Sequence, residues 1–108
     1  GQLRGLALTA ETRDPQFPEL PTVTESGLHG FVATYWNGLL APAATPPNVI
    51  ARLNAAINQG LRSPDMQVNL RRIGANPKMA SPQEFAAFMV SESRKWSAVA
   101  RTAEITVE

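Results

Sequence analysis

Leu3, Leu6 and Leu8, with Ala7 between them, make the first apolar run, and Thr9 closes it. Its short length and the breakers that follow predict a buried strand, although Leu and Ala are poor strand formers. Pro15, Pro18 and Pro21 then mark residues 11–21 as loop, each proline pushing its predecessor toward extended geometry. Thr22 is placed to cap a helical turn over 23–26, with Gly27 as the stop. In the run from Phe31 to Leu40, Phe31, Ala33 and Tyr35 alternate with Val32, Thr34 and Trp36. Bulky residues on both sides predict a strand covered on both faces.

Farther on the period changes from two to about 3.6. Val49, Leu53, Ile57 and Leu61, with Ile50 alongside, make one helical stripe and predict a helix over 46–62. Met66, Leu70 and Ile73 point inward on a second helix over 64–73, which Gly74 stops. Phe85, Phe88, Met89, Trp96 and Val99 make the apolar side of a third, over 82–102. These stripes, Met66 and Met89 included, are expected to be core. Each helix begins alike. Thr45-Pro46, Ser63-Pro64 and Ser81-Pro82 put a hydroxyl at the cap and a proline at the first helical position. Ser81 and Glu84 add a capping box. Residues 75–80 and the pair Ile105 and Val107 read as short strands.

The order is strand, turn, strand, helix, helix, strand, helix, strand. It argues an α/β fold with helices packed on an incomplete sheet. Strand 31–40 has no evident hairpin partner, and an open edge there invites pairing with another chain, a second copy included.

Composition narrows the function. A chain of 108 residues suits one domain with a core. Net charge is +1, and the basic pairs Arg71-Arg72 and Arg94-Lys95 are isolated, too little for a nucleic-acid footprint. Without cysteine there is neither a disulfide framework nor a thiolate metal site. No apolar run reaches the ~20 residues of a membrane span. Gly1-Gln2-Leu3-Arg4-Gly5 is not a signal peptide and suggests a chain cut from something larger, or a tag scar.

Catalytic chemistry finds little support. His29 is the lone histidine, set in a turn between Leu28 and Gly30, and reads as a loop residue. Glu25-Ser26-Gly27 is not a nucleophile elbow, and a Ser26–His29 hydrolase has nothing else to rest on. Asp14, Asp65 and the glutamates are too scattered for a metal. No phosphate-binding glycine motif is present, and no cofactor is implied. The proline-started helix N-termini are capped by their own hydroxyls. For ligand contact, the candidates are Tyr35, Trp36 and Asn37, an aromatic pair beside an amide and Gly38, which would line a cleft. Trp36 reads rather more readily as a strand anchor beneath a helix. Arg13, in the proline-rich loop, is a candidate partner for a carboxylate ligand or a solvated side chain.

Leu6-Ala7-Leu8-Thr9, Arg13 and Leu20-Pro21-Thr22-Val23-Thr24-Glu25-Ser26-Gly27 resemble a stretch of the tripartite tricarboxylate transporter solute-binding receptors, the Bug family. The likeness continues through Gly30-Phe31, Trp36-Asn37-Gly38-Leu39-Leu40-Ala41-Pro42, Ala51-Arg52-Leu53-Asn54, Ser81-Pro82-Gln83-Glu84-Phe85 and Lys95-Trp96. It implies a non-enzymatic, periplasmic receptor of two α/β lobes, like other periplasmic binding proteins. Such a receptor captures small organic acids for membrane permease subunits. This chain resembles the last third: residues 1–19 end the second lobe, 20–46 cross between lobes, and 47–108 complete the first. The family's usual proline is His29 here, its usual glycine is Ala44, and its main ligand loops lie in the earlier two-thirds. The competing reading is a stand-alone oligomeric interaction domain, paired through 31–40.

Overall fold

The computed structural model describes residues 2–105. The chain divides into two compact units, Gly1–Leu40 and Ala41–Glu108, with the boundary inside the expected crossover 20–46.

The first unit has no helix among its described residues and is organised around Leu8 and Thr9. Leu8 forms a parallel bridge with Thr22. Its N–H donates to the Pro21 carbonyl at 2.8 Å, and its own carbonyl accepts from the Val23 N–H at 2.8 Å. One residue on, the Thr9 carbonyl accepts from the Ala33 N–H at 2.9 Å. Successive residues of an extended chain present their main-chain groups to opposite sides. Segment 8–9 therefore lies between 21–23 and 33, the seed of a three-stranded sheet. Among the described residues no ladder extends that seed. Residues 31–40 contain neither turn nor bend and no positive φ, and among the described residues they join no ladder. The two-sided burial expected there is absent: Tyr35 is 90% and Leu39 73% exposed.

The second unit carries three helices, α1 (Pro47–Arg62), α2 (Pro64–Arg72) and α3 (Pro82–Thr102). Their starts follow from proline chemistry. Ser63 has ψ 137°, the extended geometry that Pro64 imposes on its predecessor, and this one residue ends α1 and caps α2. Its hydroxyl accepts from the Met66 N–H at 3.3 Å. Ser81 and Glu84 form the expected capping box, with reciprocal bonds of 3.2 and 2.7 Å. Thr45 does not cap α1. Pro47 forces Pro46 to ψ 141°, so the helix begins one residue later than Thr45-Pro46 implies, and its cap has no side-chain bond. At the end of α2, Gly74 adopts φ +74° and the Ala75 N–H returns to the Leu70 carbonyl at 2.9 Å.

Residues 75–80 form no strand. Pro77 removes a ladder donor, and the Ala80 carbonyl is taken by two side chains of α1. Asn54 and Asn58, one turn apart, both donate to it, at 2.9 and 3.1 Å. Asn58 also donates to Asn54 Oδ1 at 3.1 Å. This clamp holds the α2–α3 connection against α1, which packs on both other helices. Ile105 has no regular structure, and Val107 lies outside the described residues.

The expected core does not close. Among the described residues no apolar side chain is buried. Ile57, Leu61, Phe85, Phe88 and Met89 are half-buried where the helices meet. Leu53, Met66, Ile73, Trp96 and Val99, expected inside, are exposed. The helical layer is present, and among the described residues the expected sheet is reduced to the Leu8–Thr22 bridge.

Candidate functional site

The most ordered polar cluster lies in the first unit, around Thr22, which is 2% exposed. Its main-chain N–H donates to Glu25 Oε2 at 2.7 Å, and its hydroxyl accepts from the Glu25 N–H at 3.1 Å. This is a capping box without a helix. The chain turns over 23–27 and stops at Gly27, whose φ of +105° suits glycine. Ser26 donates through its hydroxyl to the Thr22 carbonyl at 2.9 Å. That hydroxyl is turned to the main chain and not to the His29 imidazole.

Arg13 belongs to the same cluster. Its Nε lies 3.0 Å from Glu25 Oε2 and 3.2 Å from Oε1, and Nη1 donates to the Pro18 carbonyl at 3.3 Å. Both side chains are about half exposed, so their ion pair contributes little net stability by itself. Its effect is geometric: it ties the proline-rich loop to the 22–27 turn. The bond from the Thr22 N–H, then Arg13, holds the Glu25 carboxyl below its ordinary range. The pairing escapes a reading of spacing because its partners are 12 residues apart. A local signal was available, since Thr22-Val23-Thr24-Glu25 repeats the hydroxyl-x-x-Glu pattern of Ser81–Glu84.

Tyr35, Trp36 and Asn37 form a separate group on the 31–40 segment. The period of two puts Tyr35 and Asn37 on one face and Trp36 on the other. Tyr35 donates its hydroxyl to Asn37 Oδ1 at 3.0 Å. Trp36 is the least exposed of the two aromatics, at 39%. The pair Tyr35–Asn37 presents a phenol ring and a carboxamide edge to solvent, an arrangement able to stack on and hydrogen-bond a small polar ligand. These residues and Arg13 sit in distinct hydrogen-bonded groups.

On α3, Glu92 is 9% exposed. It accepts from Trp96 Nε1 at 3.0 Å and pairs with Lys95. The Lys95 ammonium also sits 5.2 Å from the centroid of the Trp96 ring. The three residues lock one turn of α3. Toward its end, Ala98, Val99, Thr102 and Ala103 line a shallow depression with no ionisable side chain. Among the described residues, no three His, Cys, Asp or Glu side chains come together as a metal site. No helix among them is long and apolar enough to cross a membrane.

Comparison with known proteins gives this geometry a context. Residues 1–105 match the family model described as the tripartite tricarboxylate transporter family receptor. The chain is 38% identical over 96 residues to a protein from the tcbD-tcbE intergenic region of Pseudomonas sp. (strain P51), covering 88% of this chain and 29% of that protein. It is 37% identical over 101 residues to protein BugT of Bordetella pertussis, covering 94% of this chain and 31% of BugT. The solved structure of R. palustris Rpa4515 with adipate superimposes with a TM-score of 0.77 at 36% identity, covering 92% of this chain and 33% of that one. The chain thus spans about a third of the length of these relatives.

Proposed function

Because the chain belongs to the tripartite tricarboxylate transporter receptor family, we propose that it serves as one segment of a periplasmic receptor that captures small organic acids for a membrane permease. The observation that carries the reading is the match of residues 1–105 to a family of transport receptors. Adipate in the similar structure supports a carboxylate as the ligand class. The family is one of transport receptors and not of enzymes.

In this reading Tyr35, Trp36 and Asn37 contribute aromatic surface and a carboxamide to the ligand cleft. Arg13 adds charge from the neighbouring loop, where its fork has five donors to share between Glu25, Pro18 and a ligand. The remaining walls come from the rest of the receptor. Residues 20–46 act as the crossover between its lobes, and 47–108 complete one lobe.

Isothermal titration of a full-length receptor carrying this segment tests the proposal, with adipate and a panel of mono-, di- and tricarboxylates. Saturable heat with at least one acid is expected. Asn37→Ala should weaken that binding about tenfold, the loss of one good hydrogen bond to a charged group. Absence of heat with every acid overturns the receptor reading.

A further inference from the structure

Asn37 is followed by Gly38, and no other of the six asparagines precedes a glycine. The pairing matters because an asparagine carboxamide is open to attack by the main-chain nitrogen of the next residue, which closes a five-membered ring. That attack needs a nitrogen that carries a proton, is not committed to a hydrogen bond and is not crowded by a side chain. The other five asparagines fail one condition or another. Asn48, Asn54, Asn58 and Asn69 lie within α1 and α2, where the N–H that follows is hydrogen-bonded along the helix. The nitrogen after Asn76 belongs to Pro77 and carries no proton. Position 37 meets all three conditions. Asn37 and Gly38 are both exposed, Gly38 has no Cβ, and its N–H makes no main-chain hydrogen bond among the described residues. One further contact is particular to this fold. The Tyr35 hydroxyl donates to Asn37 Oδ1 at 3.0 Å. A donor on that oxygen draws electrons from Cγ, and it is in place to stabilise the negative charge that gathers on Oδ1 when Cγ is attacked.

We propose that Asn37-Gly38 is a self-modifying site, with Tyr35 as the donor that assists ring closure. The Gly38 nitrogen attacks Asn37 Cγ and gives up its proton to solvent. A bond from that nitrogen to Cγ forms, the bond from Cγ to Nδ2 breaks, and Nδ2 takes a proton from solvent and leaves as ammonia. The product is a succinimide. Water then opens the ring on one of two sides. Cleavage at Cγ leaves an aspartate. Cleavage at the main-chain carbonyl carbon leaves an isoaspartate, whose main chain runs through Cβ and Cγ. Both products put a negative charge beside Tyr35, and the second also lengthens the backbone by one methylene. The functional consequence rests on the receptor reading above: the new carboxylate stands where an organic acid would bind, and like charges at one site repel. Modification at position 37 therefore switches capture off.

Peptide mapping by mass spectrometry tests the chemistry, on the 108-residue chain after timed incubation in neutral buffer. The fragmentation used must separate aspartate from isoaspartate. Asn37 should convert faster than each of the other five asparagines, with isoaspartate among the products. Tyr35 is 90% exposed, so Tyr35→Phe removes the donor without disturbing a core. It should slow conversion about fivefold, the rate equivalent of one hydrogen bond. In urea, where that bond is lost, the variant and the parent chain should convert alike. Gly38→Ala should slow conversion in both conditions. Conversion of Asn37 no faster than that of the helical asparagines overturns the site. A Tyr35→Phe chain that converts as fast as its parent overturns the assistance, and so does a difference that persists unchanged in urea. Titration of a full-length receptor carrying this segment separates the chemistry from the receptor reading. Asn37→Asp should bind organic acids at least about tenfold more weakly than Asn37→Ala. Equal binding by the two, or no binding by the parent receptor, counts against the ligand reading and leaves the modification site standing.

Discussion

Thr22→Val separates the two things that Thr22 does. The side chain is 2% exposed, and its hydroxyl accepts the Glu25 N–H at 3.1 Å. Valine keeps the branched shape and removes that acceptor. One neutral hydrogen bond contributes about 1 kcal/mol net, so the Glu25 amide should exchange about fivefold faster. The Leu8 and Val23 amides bond through the main chain at 2.8 Å each and do not use the hydroxyl, so they should change less. Thr22→Ser does the reverse. It keeps the acceptor and deletes one buried methyl group, worth about 0.8 kcal/mol. That cost loosens the packing around the parallel bridge and should speed Leu8 and Val23 about fourfold, with little selective effect on Glu25. Amide exchange followed by NMR reads all three positions at once. If the two variants gave the same pattern, or valine left Glu25 no faster than Leu8 and Val23, the division of roles argued here would be wrong.

Other perturbations follow from the same bonds. Ser81→Ala removes the cap of α3 and should cost about 1 kcal/mol, read as faster exchange of the Glu84 amide with the last turn of α3 unaffected. The Glu84 carboxyl, lowered by its bonds to the Ser81 main chain and hydroxyl, and that of Glu25 share one pH dependence. Groups depressed on folding contribute stability that is fully present above their ordinary values and is lost as pH falls through the lowered ones. Carboxyl chemical shifts should therefore titrate below the ordinary glutamate midpoint, and midpoints at or above it would refute the bonding described. Asn54→Ala and Asn58→Ala should loosen the α1 clamp alike, since each removes one bond to the Ala80 carbonyl and the bond between the two amides. Each should cost about 1 kcal/mol or more, read as faster exchange of amides near residue 80, and no change in either variant would exclude the clamp.

What the sequence reveals tracks how local each feature is. Ser63-Pro64 and Ser81-Pro82 announce helix starts within two residues, and both are found. Thr45-Pro46 looks the same but misleads, because Pro47 acts on Pro46 and shifts the start by one residue. Strands need a neighbour as well as a pattern. Segment 31–40 carries the alternation of a strand, yet among the described residues it joins no ladder. The apolar stripe of α3 was legible, but its burial was not, because covering Trp96 and Val99 requires surface from outside the helix pair. Arg13 was legible as a candidate charge and its partner Glu25 was not, since only the folded 14–21 loop brings them together. The bond from Tyr35 to Asn37 follows from their spacing of two.

The shared acceptor of Asn54 and Asn58 has an evolutionary consequence. Their target is the main-chain carbonyl of Ala80, which every amino acid at that position would still provide. Drift at residue 80 therefore leaves the clamp intact, whereas drift at 54 or 58 removes one bond to 80 and the bond between the two amides. Among relatives of this chain, positions 54 and 58 should stay amides while position 80 varies in size.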